Sequence, residues 1–140
     1  MAAHVRFRDT TASPDRVWTI WSDTSTWPEW NPDVLSVSLN GPFATGTSGE
    51  MHTRAGGRHQ IRLASVEPGR AFELATSVMP LSSLTFRCEV SPASSGGSRI
   101  SQGVTVSGPL GFVFSPMMGP RIAESFGPLL DGLARKAEAD

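Results

Sequence analysis

From Val34 to Ser107 the chain reads almost entirely as half-buried strand, and only one segment offers a long apolar stripe to cover so much sheet. That segment runs from Pro109 to Asp140. In it Ile122, Phe126, Leu129, Leu130, Leu133 and Ala137 recur at helical steps, with Arg121, Glu124, Asp131, Arg135 and Lys136 between them. Pro116 and Pro120 lack amide donors and clash with a preceding helical turn, so regular helix is expected to begin near Gly119-Pro120. Gly127-Pro128 predicts a kink, because the proline leaves the Glu124 carbonyl without its partner.

The strands follow from alternation. Val5 and Phe7 alternate with His4, Arg6 and Arg8, the pattern of a first strand with one wet face. Ser13-Pro14-Asp15 supplies an N-cap, a proline at the first helical position and a first-turn acid. The helix it starts carries Val17, Trp18, Ile20 and Trp21 and is expected to stop near Ser22-Asp23. Trp27-Pro28-Glu29-Trp30-Asn31-Pro32 then allows one short helical turn and a bend. Strand two has Leu35, Val37 and Leu39 on one face. Thr45–Arg54 and Arg58–Val66 form a hairpin around Ala55-Gly56-Gly57. Phe72, Leu74, Thr76 and Val78 share a face of the next strand; Leu84, Phe86, Cys88 and Val90 do so in the sixth, and Ile100, Gln102, Val104 and Val106 in the seventh. The expectation is an α+β fold of seven antiparallel strands, two short helices between strands one and two, and a long C-terminal helix, in a single domain over residues 1–140.

Composition removes several function classes. A net charge of -1 and a pI near 6.3 create no field to attract a polyanion, so no nucleic-acid partner is expected. Cys88 is alone, which excludes an intrachain disulfide and metal sites built on paired cysteines. No window reaches the roughly 20 apolar residues of a membrane span and Met1–Thr11 has no apolar leader core, so a protein that is not membrane-spanning and is cytoplasmic is expected. There is no His-x-His, no helical metal-ligand triad and no phosphate-cradling glycine loop, so neither a metal nor a cofactor is expected.

The run Ser13-Pro14-x-x-Val17-Trp18, followed by Asp23 and Trp27-Pro28-x-Trp30-Asn31-Pro32, resembles the START-like (SRPBCC) superfamily of polyketide cyclases/dehydrases, lipid-transfer proteins and the birch-pollen-allergen type. The resemblance extends to Val66-Glu67-Pro68-Gly69-Arg70, to Ser107-Gly108-Pro109-Leu110-Gly111, and to Gly127-Pro128-Leu129-Leu130-x-Gly132-Leu133. It implies a helix-grip fold, in which a bent seven-stranded antiparallel sheet wraps the long C-terminal helix around an internal cavity. Ile122 and Phe126 are then expected to face the cavity, and Leu130 and Leu133 to pack its closed end.

In such a fold the apolar set of each strand faces the interior, so polar members of those sets are the candidates for chemistry. Gln102 lies between Ile100 and Val104, where a buried amide needs a structural partner or a ligand. His59 shares a face with Ile61 and Leu63. Cys88 also points inward, as an inert thiol without an adjacent base. The expected cavity lining is Trp30, Met51, His59, Ile61, Phe72, Leu74, Phe86, Cys88, Gln102, Val104, Met118, Ile122 and Phe126. Trp18, Trp21 and Trp27 read as packing residues, and Leu110 to Met118 as either ordinary core or the cavity mouth.

The hairpin register leaves two arrangements open. A tight two-residue loop turns Glu50, His52 and Arg54 inward; an odd loop or a bulge places Met51 with Ile61 and Leu63 inside and leaves the three ionisable groups in water. The cost of burying three such groups favours the second. The resemblance implies a protein that binds a hydrophobic small molecule, lipid or polyketide-like. The alternative is an aromatase/cyclase-type enzyme using His59 and Gln102, with Glu50, His52 and Arg54 added if they face inward. A protein-interaction or self-resistance module is the third reading.

Overall fold

The computed structural model describes residues 3–54, 56–79, 82–94, 96–108 and 120–139. Strands β1 (Ala3–Thr10), β2 (Val34–Leu39), β3 (Ser48–Thr53), β4 (Arg58–Glu67), β5 (Ala71–Met79), β6 (Ser82–Pro92) and β7 (Ser98–Ser107) form one antiparallel sheet in the order β1-β7-β6-β5-β4-β3-β2. Between β1 and β2 lie α1 (Pro14–Ser22), a 3-10 turn (Thr24–Thr26) and α2 (Trp27–Trp30). After β7 come α3 (residues 120–124) and α4 (Phe126–Glu138). The expected mouth segment, Leu110 to Met118, lies outside the described residues.

Local chemistry explains the connection. Ser13 Oγ accepts from the Arg16 amide at 3.2 Å and Pro14 occupies the first turn of α1, as its sequence requires. Asp23 ends α1 and at once caps the 3-10 turn, accepting from the Ser25 amide at 3.2 Å and the Ser25 hydroxyl at 2.6 Å. The tryptophans thus delivered pack around Phe72, whose ring centre lies 5.4 Å from Trp21 and 5.1 Å from Phe43, both edge-on, and 5.9 Å from the tilted ring of Trp27. This cluster fastens the helical connection to β5.

Four features of the backbone depart from simple alternation or decide between its alternatives. In β1 the apolar residues face outward: Phe7 is 64% exposed and Val5 is exposed too, while His4, Arg6 and Arg8 stand opposite Val104, Gln102 and Ile100. The reason lies in α4, which packs on β1 and β7. Arg8 forms an ion pair with Asp131 of α4, and Thr10 Oγ1 donates to Glu138 at 2.7 Å. The wet face of this edge strand is therefore the one that meets the helix.

In β2 the register shifts between Val34 and Ser36, so Leu35 is the extra residue of a bulge and is 49% exposed. Val34 takes the inward place, opposite Thr53, on the same face as Val37 and Leu39. The β3–β4 hairpin ends at the pair His52↔Arg58, with Thr53 to Gly57 between them, and Gly56 and Gly57 hold positive φ values of 106° and 92°. Met51 therefore faces His59, on the side that holds Ile61 and Leu63, and Glu50 and His52 lie on the outer face, 3.2 Å apart.

The C-terminal helical segment is broken at Ser125, two residues before Gly127-Pro128, and not kinked at the proline itself. Ser125 closes α3 by bonding the Ile122 carbonyl through both its amide, at 3.0 Å, and its hydroxyl, at 2.6 Å. Restarting at Phe126 puts Pro128 in the first turn of α4, where an amide has no intrahelical acceptor and its absence costs nothing. From there Leu130, Leu133, Ala134 and Ala137 are buried in the core. Lys136 reaches back to Glu29 of α2 at 2.7 Å. Gly132 backs onto the Trp30 carbonyl so closely that a Cβ there would lie 3.2 Å from its carbon.

Candidate functional site

Between the sheet, α2 and the α3–α4 break lies a cavity of about 370 Å³. Its walls come from most of the fold. Trp27, Trp30 and Val34 close the α2 side; Met51, Ile61, Phe72, Leu74, Leu84 and Phe86 come from β3 to β6; Ile122, Phe126 and Leu129 come from the helical segment. Polar groups are few and sit at two levels. Asp33 and Arg121 are exposed lining residues and mark the solvent end, with Asn31, Thr53, Thr76, His59 and Ser125 half-buried. Cys88 and Gln102, directly opposite one another on β6 and β7, form a buried pair.

The His59 Nε2 lies 3.4 Å from Thr53 Oγ1, and that hydroxyl donates to the Gly56 carbonyl at 3.2 Å. Which of the two donates across this contact is set by the ring tautomer: with the proton on Nε2 the ring donates to Thr53 and presents Nδ1 as an acceptor. The Cys88 thiol contacts Gln102 Oε1 at 3.6 Å. Burial pushes this thiol far above its ordinary range, against a smaller opposing pull from Arg87, so Cys88 stays protonated and is no nucleophile. Arg87 itself points to the outer face, where it meets Glu89 at 2.9 Å, Glu73 at 3.1 Å and Glu67 at 3.3 Å. Burial lowers its pKa, but the hydrogen bonds it donates to Glu89, Glu73 and Glu67 outweigh that and raise it.

Of the residues singled out from sequence, Trp30, Met51, His59, Ile61, Phe72, Leu74, Phe86, Cys88, Gln102, Ile122 and Phe126 stand around this cavity. Val104 does not: it is fully buried in the core of β7, the strand on which α4 packs. Met118 lies outside the described residues. Glu50, His52 and Arg54 are not in the lining, because the odd hairpin turns the first two outward and Arg54 is exposed. Thr76 and Leu84 belong to inward-facing sets and are readable from period two. Trp27 was expected only to pack, yet it both packs and lines the cavity. Val34 is hidden by the bulge, and Asn31, Asp33, Thr53, Arg121 and Ser125 carry no apolar signal that would place them there.

A family model described as "Polyketide cyclase / dehydrase and lipid transport" matches residues 1–138. No curated protein matches the sequence significantly. Similar solved structures include Ara h 8.0201, at 14% identity and a TM-score of 0.72, covering 99% of each chain. Norcoclaurine synthase from Thalictrum flavum is similar at 14% identity and a TM-score of 0.72, covering 99% of this chain and 94% of that one. DynU16, a protein of the dynemicin biosynthetic locus, gives 17% identity and a TM-score of 0.74, covering 98% of this chain and 47% of its own. At such identities the likeness shows the fold, a helix grip. No described helix is long and apolar enough to cross a membrane.

Proposed function

Since the chain belongs to the polyketide cyclase / dehydrase and lipid transport family, we propose that it binds a hydrophobic small molecule within the cavity between the sheet and the C-terminal helices, acting in the cytoplasm. The observation that carries this reading is the cavity of about 370 Å³ with aromatic and aliphatic walls and few convergent polar groups. At a packing density of about 0.74 that space suits roughly fifteen to twenty non-hydrogen atoms, the size of a fused ring system or a medium-length acyl chain. Native mass spectrometry of gently purified protein, together with titration of a fluorescent fatty acid and a polyaromatic dye, tests it. A retained small-molecule mass or saturable one-to-one dye binding is expected. No bound mass and no saturable binding would sink the reading.

Turnover is a second reading, and it rests on His59 and Gln102 lining one cavity. An imidazole nitrogen able to take a proton and an amide able to polarise a carbonyl are the parts that aldol condensation or dehydration of a poly-β-keto chain requires, the rest being orientation. Turnover of such a chain that survives both His59→Ala and Gln102→Ala would remove these residues from the reaction.

A further inference from the structure

Gln102 is only 7% exposed, yet it lines the cavity. A side-chain amide has one acceptor oxygen and two N–H donors. The oxygen accepts from the Cys88 thiol at 3.6 Å across the β6–β7 pairing, and among the described residues no group accepts from Nε2. Burial keeps the thiol in its protonated, donating form. The amide is thus turned one way, with its donor end toward the cavity.

We propose that Gln102 selects ligands that bury a neutral acceptor oxygen, a ketone or quinone carbonyl, and that Cys88 is the positioning residue that fixes the amide for this task. The inference rests on the ligand-binding reading above and narrows it. A carboxylate is disfavoured at this depth, since a lone neutral donor does not repay the desolvation of an anion and the lining cation, Arg121, is exposed at the solvent end. A purely apolar ligand leaves two buried N–H groups without a partner. The favoured class is therefore a rigid, mostly apolar molecule with a carbonyl at its inner end.

Three near-isosteric probes separate the possibilities: 9-fluorenone carries an acceptor, carbazole a donor and fluorene neither. Wild-type protein is expected to bind fluorenone about five- to tenfold more tightly than either of the others, the range of one neutral hydrogen bond. The bound ketone's C=O stretch should shift to lower frequency. Gln102→Leu should abolish both the preference and the shift while fluorene binding persists. Cys88→Ala should reduce the preference and improve carbazole, because the amide is then free to turn. Equal binding of fluorenone and fluorene to the wild type would overturn the role of Gln102, and tighter binding of carbazole would show the amide reversed and overturn it as well. An unchanged preference in Cys88→Ala would remove the positioning role. If none of the three binds, the cavity reading itself fails and takes this inference with it.

Discussion

Two glycines in α4 should respond in opposite directions to the same substitution. Gly127 is exposed and an added Cβ would meet no heavy atom within 4 Å, whereas a Cβ on Gly132 would land on the Trp30 carbonyl oxygen and lie 3.2 Å from its carbon and 3.3 Å from its Cα. In a helix interior alanine is worth up to about 1 kcal/mol over glycine. Gly127→Ala should keep much of that gain, stabilising by roughly 0.5 kcal/mol in the less demanding first turn. Gly132→Ala gains the same term but forces backbone against backbone, and overpacking of this kind costs about 1–3 kcal/mol or more. Trp30 cannot yield cheaply. Its ring walls the cavity, and its Nε1 is held by Thr26 Oγ1 at 3.3 Å. The net expectation for Gly132→Ala is roughly 1–2 kcal/mol of destabilisation, together with weaker dye binding because Trp30 must move. Urea denaturation followed by tryptophan fluorescence measures both variants. A Gly132→Ala protein as stable as the parent would refute the close approach of α4 to α2, whatever Gly127→Ala does.

Three further outcomes are expected. The Cys88 thiol is favoured neutral in the folded protein, so its contribution to stability is intact below the ordinary thiol value of 9.0 and is lost as pH rises above it. With no tyrosine and a single lysine to titrate alongside, wild type should lose on the order of 1 kcal/mol more than Cys88→Ala between pH 8 and pH 10; parallel urea midpoints for the two proteins across that window would contradict the assignment. Phe72→Ala, at the centre of the aromatic cluster, should destabilise by about 3–5 kcal/mol and collapse the near-ultraviolet dichroism of the tryptophans, and a loss under 1 kcal/mol would show that the cluster packs without Phe72. Ile122→Trp, at a half-buried position on α3, should fill the cavity and abolish dye binding while leaving the urea midpoint within experimental scatter of the parent; undiminished dye binding would place the ligand elsewhere.

Much of this architecture was legible in the sequence because period-two alternation and turn chemistry act locally. The faces of β5, β6 and β7, the Ser13-Pro14 helix start and the stop at Asp23 all follow from neighbouring residues alone. What alternation could not show was a change of phase. The bulge at Leu35 exchanges it for Val34, and nothing in the run Val34-Leu35-Ser36-Val37 marks which of two adjacent aliphatics is extra. In β1 the apolar residues were expected on the dry side, but the helix facing that strand offers carboxylates, and polar complementarity outranked hydrophobic burial at the sheet edge. The helix break was predicted from Gly127-Pro128, yet it falls at Ser125, because a proline is accommodated more cheaply in a fresh first turn than in a bent interior. At the site, the apolar wall was readable and the polar solvent end was not. Asp33, Arg121 and Ser125 line the cavity through where their elements terminate, a property of tertiary assembly that residue type does not encode.

The interruption at Ser125 also divides labour along the chain. Residues that look into the cavity from this segment, Arg121, Ile122, Ser125, Phe126 and Leu129, fall within a nine-residue stretch straddling the break. Those that moor it, Asp131 to Arg8, Gly132 against Trp30, and Lys136 to Glu29, all follow it. Substitutions in the leading stretch can therefore reshape what the cavity accepts while these moorings stay in place, and the trailing stretch reaches the lining through Trp30, against which Gly132 is packed. A helix continuous through Ser125 would tie the two together, since any shift of one end would swing the other. As built, the lineage that carries this chain can explore new ligands through a handful of positions while the rest of the fold stays still.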